Sequence, residues 1–106
     1  ALALVRKSVE LEPSCIRYRL HLAMVLLQCG LYDEAKENLY RCLKYRSSKL
    51  EAQLLLAKTY LQEGLNQRSA TWFKKVAASD DAGEKLQAEA QKGLAQIRTQ
   101  GKSTYV

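Results

Sequence analysis

The chain is predicted to be all-α, a superhelical stack of antiparallel helix pairs with about six helices, the last of them a C-terminal cap. Three observations predict it. Apolar residues at Ile16, Leu20, Ala23, Met24 and Leu27 recur at helical spacing, and Leu22 and Leu26 widen the stripe until most sides of the helix are covered. Gly30 then breaks the pattern, and a second apolar face follows at Ala35, Leu39, Cys42 and Leu43, too close for anything but an antiparallel neighbour. The chain also repeats itself: Leu22-Ala23 recurs as Leu56-Ala57, Leu26 as Tyr60, Gly30 as Gly64 and Leu39 as Phe73, each 34 residues on.

Each element can be justified in turn. Residues 1–12 read as a helix that Pro13 closes, because proline cannot continue one. Helices are expected at 15–29 and 33–46, with Asp33 and Glu34 at the positive end of the second and Arg41, Lys44 and Arg46 near its negative end. Ser47-Ser48 connects to the next pair at 49–63 and 66–78, with Ser48 and Asn66 as expected caps. Residues 79–83 form a loop with capping chemistry. The last helix, 82–98, has a narrow stripe of Leu86, Ala90, Gly93, Leu94 and Ile97 on an otherwise polar surface, which suits the wet end of a stack. Residues 99–106 are expected to fray.

The 34-residue register resembles tetratricopeptide repeats (TPRs). The motif places a Leu, a small residue and a large residue in the first helix, then a small and a large residue in the second. Here these are Leu22, Ala23 and Leu26 with Ala35 and Leu39, then Leu56, Ala57 and Tyr60 with Ser69 and Phe73. Arg19 and Gln53 stand where the family often has Trp. The resemblance makes 16–49 and 50–81 full repeats and 1–12 the second helix of a truncated one, with Ala1 and Val5 in its small and large slots. Leu2, Leu4, Val5 and Val9 would then be partly uncovered.

The family layout places the first helix of each pair on a concave groove. That implies groove residues Arg17, Leu20, His21, Met24, Leu27 and Gln28 from one repeat, and Glu51, Leu54, Lys58, Leu61 and Gln62 from the next. Leu20 and Met24 stand where the chaperone-tail-binding subclass has Lys and Asn. The groove therefore reads as an apolar trough for a partner's extended peptide or amphipathic helix, rimmed by Arg17, His21, Glu51 and Lys58. The implied function is a noncatalytic protein–protein scaffold or adaptor in the cytoplasm, without cofactor.

Composition narrows the alternatives. Seventeen Lys and Arg against eleven Asp and Glu give a net charge of +6, which raises an RNA-binding, pentatricopeptide-like alternative. The basic residues are scattered along the sequence, however, and that family runs at a period of about 35. The single histidine, His21, has no nucleophile in register, so no catalytic set forms. Gly30 and Gly64 are lone helix breaks, not a phosphate loop. Asp80-Asp81 has no further oxygen ligands at loop spacing. Cys15, Cys29 and Cys42 lack zinc-site spacing and are odd in number, which fits a reducing compartment. No run of about 18 apolar residues spans a membrane. Ser103-Thr104-Tyr105-Val106 fits the loose pattern of a PDZ-domain ligand.

Overall fold

Six α-helices in chain order follow one another with short turns. A computed structural model describes the backbone of residues 2–103 and the side chains of residues 2–99. Ala1, Thr104, Tyr105 and Val106 lie outside the described residues, and so does the PDZ-type pattern that ends on them. The helices are α1 (Leu2–Leu11), α2 (Ile16–Gln28), α3 (Tyr32–Cys42), α4 (Lys49–Gln62), α5 (Asn66–Ala77) and α6 (Gly83–Ser103), with a 3-10 turn at Asp80–Ala82. Each helix packs on the next, and α2, α4 and α6 also touch along one side, so they form one layer and α1, α3 and α5 the other. The radius of gyration is 14.4 Å and the extents are 50 × 30 × 18 Å, an elongated slab rather than a ball.

The turn inside each pair is the same device twice. Gly30 and Gly64 take φ of 79° and 84°. At the first, the Leu31 amide donates to the Leu26 carbonyl at 2.9 Å and Gly30 to Leu27 at 3.1 Å; at the second, Leu65 donates to Tyr60 at 2.9 Å and Gly64 to Leu61 at 3.0 Å. These are the two bonds of a Schellman end, which satisfy carbonyls the helix leaves over. Leu31 and Leu65 then start the next helix directly, their carbonyls accepting from Ala35 and Ser69 at 3.0 Å. One residue thus ends one helix and opens the next.

The repeated motif residues are where the helices meet. Ala23, Ala35, Ala57 and Ser69 are buried, and the large residues Leu26, Leu39, Tyr60 and Phe73 are buried beside them. At the closest approach of α4 and α5 the Ser69 hydroxyl donates to the Ala57 carbonyl at 2.7 Å. Arg19, which replaces the family's frequent Trp, donates to Asn38 Oδ1 at 2.9 Å and reaches the Pro13 carbonyl at 3.4 Å. It ties the α1–α2 turn to α3. Leu2, Val5 and Val9 are half-buried against Leu22, Leu26 and Ala35, while Leu4 stays 73% exposed.

Several local expectations are corrected. Helix α3 ends at Cys42 instead of residue 46, because the Ser48 hydroxyl donates to the Cys42 carbonyl at 2.8 Å and draws the chain into a turn. Ser48 therefore does not cap α4: its φ of −117° and ψ of −3° are not the extended conformation a capping side chain needs. Asn66 lies inside α5 rather than at its cap, and its side-chain oxygen is buried without a partner. Helix α6 runs past the expected end at 98 to Ser103, since Ile97 still packs on the core stripe and Thr99 bonds back to the Ala95 carbonyl at 2.9 Å.

Helix α6 is held on by a knob and a hole. A Cβ added at Gly93 would clash with Cζ of Phe73, so the ring rests on bare backbone. Gly93→Ala would ordinarily gain about 1 kcal/mol of helix propensity. Here it is expected to lose about 1–3 kcal/mol by overpacking, measured by urea unfolding. Adding Phe73→Leu to it should cost less than the sum of the two single changes. Simple additivity would refute the contact.

Candidate functional site

The open side of the α2–α4–α6 layer carries the expected groove residues, but it sorts them differently. Arg17, His21, Met24 and Gln28 of α2 are exposed, as is Gln62 of α4, while Glu51, Lys58 and Leu61 are half-exposed. Leu20, Leu27 and Leu54 are instead buried, at 3%, 7% and 4% exposure. The reason is the width of the stripe. Leu20 belongs with Ala23, Leu39 and Leu56 in one core cluster, and Leu54 with Ala57, Phe73 and Ala90 in the next. Both therefore fill the seam between repeats, and no apolar trough lines the face. Met24, 44% exposed, is the large apolar side chain that α2 leaves to solvent there beside Tyr18.

The rim charges bond to one another across the layer. Arg17 Nη1 contacts both Glu51 oxygens, at 2.9 and 3.1 Å, across one repeat period. Lys58 Nζ lies 3.9 Å from Glu89 of α6. Arg17 is 69% exposed, so its pair adds little stability and instead fixes two charges in a row. His21 sits at the other end, where it lines a recess of about 220 Å³ with Leu4, Val5, Ser8 and Tyr18. Lys58 and Leu61 line a further recess of about 260 Å³ with Glu89, Lys92 and Gln96. Among the described residues no group of three or more His, Cys, Asp or Glu side chains converges as a metal site, and no helix is long and apolar enough to cross a membrane. Cys42 is buried, and burial pushes its thiol up, which suits a packing role.

The opposite side holds a cluster that sequence reasoning missed. Tyr40 of α3 shares a 2.7 Å hydrogen bond with Tyr60 of α4, and its ring meets Trp72 of α5 edge-on at 6.1 Å. Lys36 lies 4.9 Å over the Tyr60 ring and donates to Glu63 at 2.9 and 3.0 Å. Burial works against the Lys36 charge, but the hydrogen bond and charge of Glu63 outweigh it and raise its pKa above the usual 10.5. The i, i+4 spacing of Lys36 and Tyr40 was visible beforehand; their partners lie in another repeat and carried no signal.

Burial and the bond to Tyr60 push the Tyr40 hydroxyl from 10.0 up to about 12. The folded chain then holds this proton where the unfolded chain has released it, so stability falls as pH rises from 10.0 towards about 12. Tyr40→Phe should flatten that decline in thermal unfolding midpoints taken across the interval. An unchanged slope would show that the hydroxyl is not held.

Residues 16–49 match the tetratricopeptide repeat family. No curated protein matches the chain. The matched segment spans α2, α3 and the turn into α4, and α4 with α5 repeats its helix pair, its Schellman glycine and its small–large seam 34 residues later. Residues 16–49 thus form a tetratricopeptide repeat, a unit that serves in general as a protein-interaction scaffold.

Proposed function

We propose that the chain is a noncatalytic scaffold that holds a partner protein's peptide or helix across the α2–α4–α6 face, or joins proteins into a complex there. The observation that supports this most directly is Met24. It projects from the middle of α2 between His21 and Gln28, while the leucines around it serve the core. A flexible thioether adapts to an irregular apolar surface, and the fixed Arg17–Glu51 pair and Gln28 and Gln62 supply polar contacts on either side. The recognition surface is thus a polar ladder with one apolar anchor rather than a trough. Charged rim groups in such an arrangement govern association rate and selectivity more than strength. The three free cysteines, one of them exposed, fit a reducing, cytoplasmic setting.

Peptides selected from a displayed library against the chain provide the test. Met24→Glu should weaken the selected peptides by roughly tenfold or more, the scale of a lost anchor, with helicity unchanged. Loss of helicity would make Met24 a core residue. Full binding by a folded variant would move the site off this face.

A second outcome is expected for Arg17→Ala. It should reduce peptide affinity more at low than at physiological salt, because the pair is solvent-exposed and screened. A salt-independent loss would mean that Arg17 contacts the peptide in a desolvated bond.

A further inference from the structure

Two stretches of the chain carry positive charge without acids. Residues 38–50 contain Arg41, Lys44, Arg46 and Lys49 and no acid, and residues 64–79 contain Arg68, Lys74 and Lys75 and no acid. These seven exceed the chain's net charge of +6 on their own. All seven are exposed. Elsewhere four cations are paired, Arg6 with Glu34, Arg17 with Glu51, Lys36 with Glu63 and, loosely, Lys58 with Glu89, while Lys7, Lys85, Lys92 and Arg98 stand singly. Among the described residues none of the seven is paired.

The aromatic cluster joins the two segments. Lys44 stands in the turn just past the end of α3, four residues after Tyr40, and Arg68, Trp72 and Lys75 follow one another on one face of α5. The Tyr40–Trp72 contact sets these faces side by side, and Lys75 Nζ lies 4.5 Å over the Trp72 ring. Beyond it, Arg46, Lys49 and Lys75 line one recess of about 680 Å³ with Ser79. Glu51 and Asp81 also reach this recess, and Glu51 is already held by Arg17. Arg46, Lys49 and Lys75, gathered around one recess, repel one another at physiological salt, where the screening length is about 8 Å. A surface that keeps them exposed is stabilised by a negative partner.

We propose that this strip, from α3 across the α3–α4 turn to α5, is a docking surface for an acidic segment of a partner protein, separate from the Met24 face. The rings decide between an acidic peptide and single-stranded nucleic acid. Nucleic acid of that kind needs open aromatic faces on which bases stack. Here Lys75 covers Trp72, Lys36 covers Tyr60, and Tyr40 packs against Trp72. These three rings are in use, and Tyr45, 51% exposed in the α3–α4 turn, leaves a single uncommitted ring, too few to stack successive bases; charge is therefore the recognition chemistry.

The test uses the whole chain and a labelled peptide of about twelve glutamates, read by fluorescence anisotropy at low and physiological salt. Lys44→Glu with Lys75→Glu should weaken peptide binding by about tenfold or more, while Lys7→Glu with Lys92→Glu, an equal change of charge on α1 and α6, should change it by less than about threefold. Circular dichroism checks that both fold, and Lys44→Glu with Arg46→Glu replaces the first variant if it does not. Equal losses from the two reversals would reduce the effect to net charge and overturn the proposal. So would absence of peptide binding, or tighter binding of an oligouridylate of equal charge that the strip reversal abolishes.

Discussion

Close approach of paired helices is the constraint on which the structure depends. A turn of a few residues leaves two helices no freedom to separate, so the side chains where they cross have to be small. Ala57 against Ser69 meets this condition, the buried Ala23 and Ala35 stand in the same places one repeat earlier, and Gly93 meets its extreme form under the Phe73 ring. Large residues one turn away, Leu26, Leu39, Tyr60 and Phe73, then fill the space that the crossing opens. Ser69 adds a condition of its own. It is buried, and its hydroxyl is acceptable there only because the Ala57 carbonyl is 2.7 Å away.

The layer architecture was legible because it follows from periodicity, and periodicity is local. Gly30 and Gly64 announced both turns, since only glycine adopts their φ without strain. Helix ends were less legible. The Cys42 end depends on a hydroxyl six residues away, and Ser48 looked like a cap because its residue type, not its backbone angle, is what a sequence displays. The groove residues were half legible. A stripe as wide as that of α2 contains both seam and surface positions, and only the placement of α3 and α4 separates Leu20 from Met24. The basic strip was not legible, because residues some 30 positions apart become neighbours through one aromatic contact.

The two faces of the slab divide the chemistry. On the α2–α4–α6 side the charges are bonded in a row and one apolar side chain is left free. Across the slab Lys36 is held by Glu63, the seven cations of the strip are unpaired, and the Tyr40, Tyr60 and Trp72 rings are in use. The core between them is shared, since Trp72 packs against both main clusters. A ligand on either face therefore bears on the same packed layer, although nothing in that layer offers two alternative arrangements.

Helix α1 has no fully buried side chain, unlike every helix from α2 to α5. It sets Leu2, Val5 and Val9 only half-buried against α2 and α3, whereas α4 contributes fully buried residues to two clusters. The recess at His21 and Tyr18 has this helix as one wall, through Leu4, Val5 and Ser8, while the recess at Lys58 backs onto the buried Phe73. A ligand reaching past Met24 therefore meets walls of different make, loosely packed aliphatic side chains on one side and a closed aromatic seam on the other.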